Sequence, residues 1–193
     1  VTQGTQIVTF YANATGTIVG LASTTIATGV RNTCAISSGL IYCWGANFVG
    51  ELGDGTQVQR SLPVLVTGGL LWEEVVAGEA VTCGRTQQSL VYCWGLNASG
   101  QIGDGSTTNR PVPTLVVGGP SLSGLTAGGQ HLCGLDAGGA AYCWGNNSFG
   151  MLGDGTTTNR LSPTPVAGGF TFNALTAGYY HTCGVATDGK AYC

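Results

Sequence analysis

The chain has 193 residues, a net charge of -3, and only 8% charged residues against a usual share of about 25%. That balance excludes a basic surface built for nucleic acid, and a hydrophobic content of 43% excludes a disordered chain. No apolar run reaches the roughly 18 residues a membrane-spanning helix needs, so none is expected.

The first 14 residues, "VTQGTQIVTFYANA", alternate like a strand from Ile7 to Tyr11 and read as a strand or linker outside the repetitive part of the chain. There is no initiator Met and no leader, so the chain reads as a mature product or a fragment. Residues 15–193 are repetitive. "YCWGANFVGELGDGTQVQR" starts at Tyr42, "YCWGLNASGQIGDGSTTNR" at Tyr92 and "YCWGNNSFGMLGDGTTTNR" at Tyr142, a period of 50 residues. A fourth copy opens at Tyr192, which divides the chain into units at about 15–45, 46–95, 96–145 and 146–193.

Each unit carries one local cysteine pair: Cys34/Cys43, Cys83/Cys93, Cys133/Cys143 and Cys183/Cys193. In "CGVATDGKAYC" the loop Thr187-Asp188-Gly189 puts Gly in the left-handed position, and closing Ala186 on Lys190 sets Cys183 opposite Cys193. In "CAISSGLIYC" the loop is Ser38-Gly39, one residue shorter, and the cysteine spacing shrinks by one with it. Both registers put the pair on a non-hydrogen-bonded rung, within disulfide reach. The spacing predicts four hairpin disulfides and hence an oxidising, extracellular or cell-surface location. Reduced buried thiols remain the alternative. Zinc is disfavoured, because each unit has two thiolates, and His131 and His181 are replaced by Asn32 and Val81 in the other two units. Sequons at Asn13, Asn97 and Asn146 make these candidate N-glycosylation sites.

Within the third unit, Pro113 opens a short apolar run ended by Gly118-Gly119; "LSGLTAGG", "HLCGLD" and "AAYCWG" follow. These read as four short strands punctuated by Gly and Pro, with no helical period. Tyr142 and Trp144 point to one face and Cys143 to the other, so both faces are apolar and the sheet must lie between like sheets. The fold class is therefore all-β, four repeat units of four antiparallel strands in a propeller-like stack. In the long loop, Leu152, Leu52 and Ile102 read as core anchors, and Gly150, Gly153 and Gly155 as turn residues. Asp154 reads as the cap of its own turn, and Arg160 as a group that stacks on an aromatic or bonds a carbonyl. With one Asp per loop (Asp54, Asp104, Asp154), a structural turn is favoured over a calcium site. The loop is read as leading from the hairpin to the next sheet.

The pattern H-x-C-G, A-Y-C-W-G-x-N, G-x-L-G-D-G-T and the following Arg resembles the regulator of chromosome condensation repeats, over about Thr15 to Cys193. That resemblance implies four-stranded propeller blades, commonly seven to a ring, so four units would form an arc of a larger propeller. The paired cysteines look like the family's secreted branch, and no functional motif of the nuclear exchange factor carries over.

No convergent acid, base and nucleophile is legible, and His131 and His181 read as packing residues, so neither catalysis nor a cofactor is expected. The reading is a structural or interaction module of a cell-surface or filamentous assembly, working through blade faces and edge strands. The alternative is a secreted protein-binding propeller, of inhibitor or receptor-binding type, that acts through its loop face.

Overall fold

The computed structural model describes residues 7–11, 18–22 and 25–193. All regular structure among them is antiparallel β. β1 (Ile7–Tyr11) pairs with β2 (Ile18–Ala22) in a sheet of its own. The first propeller sheet orders β3 (Thr25–Thr28), β4 (Asn32–Ser37), β5 (Leu40–Gly45) and β6 (Arg60–Leu65) side by side. The second orders β7 (Trp72–Ala77), β8 (Val81–Thr86), β9 (Val91–Gly95) and β10 (Arg110–Leu115). The third has β11 (Ser123–Ala127), β12 (His131–Leu135), β13 (Ala141–Gly145) and β14 (Arg160–Pro165). The fourth has β15 (Phe172–Ala177), β16 (Thr182–Ala186) and β17 (Ala191–Tyr192).

Two expectations are corrected by this order. The long loop does not lead to the next sheet. It returns Arg60, Arg110 and Arg160 to pair with Gly45, Gly95 and Gly145 of the strand it left. The Pro-bearing strand is therefore the outer strand of the preceding hairpin's sheet. The sheets span residues 25–65, 72–115, 123–165 and 172–192, and not the predicted cuts at 45, 95 and 145. A sequence period locates the repeat length but leaves its starting point free.

The hairpin turns follow their loop chemistry. Ser38 and Gly39 adopt φ of 50° and 78°, the two left-handed residues of a two-residue hairpin. Ser37 then faces Leu40 and Cys34 faces Cys43. The longer loop at Gly189 (φ 81°) returns Ala191 to Val185.

The inner strands β3, β7, β11 and β15 pack in series around a shared hollow, with the sheets arranged as an open arc. Backbone bonds stitch this inner rim: Val30 N to Gly78 O, Glu79 N to Gly129 O and Gly129 N to Tyr179 O. A side chain on Gly78 would put its Cβ 2.5 Å from Gly128 O, so only glycine lets the sheets approach this closely. At the outer side, Gly55 N donates to Pro111 O and Gly105 N to Leu161 O of the next sheet.

The core lies between sheets. Leu52, Val66, Trp72, Trp94 and the Cys34/Cys43 pair fill the first interface. Ile102, Leu122, Leu132, Trp144 and the Cys83/Cys93 pair fill the second. The third splits into two smaller clusters, one around Phe172 and one around Leu152. The predicted anchors Leu52, Ile102 and Leu152 are all buried.

Candidate functional site

The long loop is organised by an asparagine. Asn47, Asn97 and Asn147 are fully buried at equivalent places, two residues past the strand-ending glycine. The Asn147 carboxamide oxygen accepts Leu152 N at 3.0 Å. Its Nδ2 donates to Asp154 Oδ1, Thr156 O and Thr158 O at 3.0, 3.1 and 3.1 Å. Asp154 Oδ1 also accepts from the Thr156 amide, which is the predicted self-cap. Arg160 Nε donates to Asp154 Oδ2 at 2.6 Å. The pairs Arg60 with Asp54 and Arg110 with Asp104 repeat this. Arg160 therefore bonds a carboxylate, and not the aromatic or carbonyl expected of it. Burial pushes the Asp154 carboxyl up, but bonds from Thr156, Arg160 and Asn147 outweigh it and hold the pKa down to about 2. Asp54 and Asp104 are lowered by the same balance. Each carboxylate is already engaged by its own loop, which makes the loop a structural clasp.

His131 is buried against the neighbouring sheet. Thr182 donates its hydroxyl to Met151 O at 3.0 Å, so His131 Nε2 must be the donor in its 2.8 Å contact with Thr182 Oγ1. The first interface uses the same relay, Asn32 Nδ2 to Thr82 Oγ1 to Glu51 O. The second replaces it with the buried apolar residues Val81 and Leu132. His131 therefore holds two sheets together, and the Thr182 hydroxyl beside it is donated to Met151 O. Its Nδ1 is buried without a partner.

That environment makes a pH prediction. Burial, and then the charge of His181, lower the His131 pKa to about 4. The unfolded chain binds this proton near pH 6.5, the folded chain only near 4. The contribution is whole above pH 6.5 and is lost as pH falls through 4, on the order of 3 kcal/mol. Melting temperature should decline over that window. His131→Asn, which reproduces the Asn32 relay, should flatten the decline; an unchanged slope would refute the assignment.

The fourth sheet displays aromatics. Phe149 and Tyr180 are 73% and 56% exposed, with ring centroids 5.3 Å apart. Tyr179 lies 4.5 Å from Tyr180. On the inner rim its hydroxyl bonds Glu79, which raises its own pKa to about 12 and lowers that of Glu79. Gln130 adds a 3.1 Å bond to the same carboxylate. Phe170 stacks on Tyr192 at 4.3 Å and lines the same cleft as Phe149 and Tyr180.

Consecutive antiparallel sheets, three of them carrying one clasp design, agree with the family comparison. The regulator of chromosome condensation (RCC1) repeat matches residues 38–86, 88–135 and 138–185, about three quarters of the chain. The chain belongs to this repeat family. No curated protein sequence matches it. Its fold is similar to that of human WBSCR16, at 16% identity and a TM-score of 0.80, over 92% of this chain and 50% of that one. It is also similar to yeast RCC1 (Prp20) in a structure with Kap60, at 19% identity and 0.80, over 95% and 47%. A third likeness is the CRINKLY ectodomain of the Arabidopsis thaliana receptor kinase ACR4, at 24% identity and 0.60, over 90% and 53%. The chain spans about half the length of these structures.

On this RCC1 frame the cysteines sit across the hairpin formed by the second and third strands of each sheet. Cys34–Cys43, Cys83–Cys93, Cys133–Cys143 and Cys183–Cys193 are joined, each with Cα atoms 4.1 Å apart. Asn97 does not stand as a glycan site in the folded repeat. Its Nδ2, the atom a glycan would occupy, is buried and donates to Ser106 O and Thr108 O. Asn146 is half-buried at the rim, its Nδ2 3.4 Å from Gln130 Oε1. Asn13 lies outside the described residues. Sequence reasoning missed the clasp asparagine and the Asp–Arg pair of the RCC1 loop. Their signal was available, because all three residues recur at the fifty-residue period.

Proposed function

We propose that this chain is a non-catalytic extracellular interaction module, an arc of disulfide-stapled RCC1 blades that builds a cell-surface or filamentous assembly. The observation that carries the reading is the group of exposed aromatic side chains on and beside the fourth sheet. Phe149, Phe170, Tyr179 and Tyr180 are 40–73% exposed on or beside the fourth sheet. Burying each such ring against a partner is worth roughly 1.5–3 kcal/mol, and contiguous patches of this kind mark interaction surfaces. Ionisable groups support a non-catalytic role, since the clasp carboxylates and His131 are engaged in holding loops and sheets. The buried cysteine pairs suit an oxidising compartment. Of the two described sequons, Asn146 is the better placed to carry a glycan there. Protein binding is within the reach of the fold: the yeast RCC1 neighbour is bound to Kap60.

Sedimentation velocity of the non-reduced chain over a wide concentration range tests the proposal. Reversible self-association that disappears in a Phe149→Ser, Tyr180→Ser double variant is expected. A chain that stays monomeric, and captures a protein partner through its loops, would replace the assembly with the binding-propeller alternative.

A further inference from the structure

We propose that the groove between the hairpin tip of the second sheet and the linker into the third sheet binds an extended polypeptide segment, through one aliphatic side chain and two backbone hydrogen bonds. The neighbouring junctions show what is missing there. Trp72 N donates to Gly39 O at 2.8 Å and Phe172 N to Gly139 O at 2.8 Å, so the hairpin of one sheet is sealed to the first strand of the next. The residues in phase at the middle junction are Leu122 and Ser89. Ser89 holds the left-handed turn position (φ 60°) that Gly39 and Gly139 hold elsewhere. Among the described residues no backbone bond joins Leu122 N to Ser89 O. The next bond along, Gln87 N to Leu71 O or Thr187 N to Thr171 O, likewise has no counterpart from Ala137 N to Ser121 O.

Local sequence holds this junction open. Pro120 stands where the other linkers have Leu70 and Phe170. The residue before a proline is driven to extended backbone, and Gly119 accordingly lacks the left-handed turn that Gly69 and Gly169 make at φ 63° and 66°. β11 then starts at Ser123, one position later in phase than β7 at Trp72 and β15 at Phe172. Its bulge falls between Ser123 and Thr126, and the Leu125 amide turns to Glu74 Oε1 at 2.7 Å. What remains is a groove of about 100 Å³ lined by Ser89, Leu90, Leu115, Pro120, Leu122 and Pro163. Leu90 and Leu115 are 44% and 40% exposed. No charged side chain lines the groove, so it selects an uncharged anchor, and its volume suits an aliphatic side chain better than an indole. Ser89 O and Leu122 N–H supply an acceptor and a donor at the unsealed junction. In an extended chain the N–H of one residue and the C=O of its neighbour point to opposite sides, so one segment can bond Ser89 with the first and Leu122 with the second.

The groove lies between two four-stranded sheets and none of the exposed aromatic rings lines it, so its occupancy is separable from self-association. The ¹⁵N-labelled 193-residue chain, at low concentration, is titrated with acetyl-Thr-Leu-Thr-amide to millimolar peptide. Saturable shifts at the Ser89, Leu90 and Leu122 amides are expected, with the alanine-centred peptide several-fold weaker. Pro120→Leu gives this linker the residue of the first and should close the junction. Its Leu122 amide should become protected from hydrogen exchange, and peptide binding should fall at least tenfold. Leu90→Ser, at the exposed hairpin tip, should weaken binding several-fold with the remaining resonances in place. A Leu122 amide already protected in the free chain, no shift at Leu122, or shifts that survive both variants, would overturn the site.

Discussion

Asn97→Ala is expected to destabilise the chain by about 3–5 kcal/mol. The side chain is fully buried, accepts Ile102 N at 2.9 Å and donates to Ser106 O and Thr108 O at 3.1 and 3.0 Å. Alanine would leave these backbone groups unpaired in a place water cannot easily reach, at about 1–3 kcal/mol each. The costs do not add fully, because the loop can relax toward solvent. Ile102, anchored in the core by this bond, would loosen with it. Urea unfolding measures the loss, with Thr107→Ala in the exposed part of the same loop as the control, expected within about 0.5 kcal/mol. A loss below 1 kcal/mol for Asn97→Ala would mean that the Asp104–Arg110 pair holds the loop alone. That pair is an unpromising sole support, since Arg110 is partly exposed and exposed ion pairs contribute little.

Reduction of the disulfides carries the second large effect. Each bridge closes a loop with a cysteine separation of 9 or 10 residues. On the loop-entropy account such a crosslink contributes roughly 2.7 kcal/mol, so four contribute about 11 kcal/mol. A domain of this size is stable by only about 5–15 kcal/mol. The reduced chain should therefore be close to unfolding at physiological temperature, and its loss should be graded. Cys183→Ala with Cys193→Ala should cost least, because Cys193 lies exposed at the edge of the fourth sheet. Removing any of the other three pairs, whose six cysteines are all fully buried between packed sheets, should cost more. Mass mapping of the non-reduced chain checks the pairing, and thermal melts of the paired variants check the order. Equal small losses at every pair would point to sheet packing, and not the crosslinks, as the main source of stability.

Local chemistry was legible in the sequence because it depends on near neighbours. The Ser38-Gly39 and Thr187-to-Gly189 loops determine which residues face each other two to five positions away, so the cysteine registers could be counted from the turn outward. Apolar residues on both faces of "AYCWG" required stacked sheets, and Leu52, Ile102 and Leu152 were identifiable as anchors by their shared phase. The fifty-residue period likewise implied identical units, which is the content of the fold class.

What the tertiary structure decided is which partner each repeated group meets. The Pro-bearing strand could pair with the hairpin before it or with the sheet after it. Only the return of Arg160 to Gly145, beside the Asp154 carboxylate, selects the first. Asn97 is indistinguishable by sequence from an acceptor of a glycan, since a sequon records three residues and not the burial of one nitrogen. His131 looked like a packing residue, but its bond to Thr182 joins residues 51 positions apart in different sheets. Trp94 and Trp144 were plainly core residues, whereas the carbonyl and glycine that receive each one lie 43 and 41 positions earlier. Turns are set by torsions within a few residues and are written locally in the chain. Clasps and relays are set by the return of the long loop and the stacking of one sheet on the next, and so emerge only once the sheets are in place.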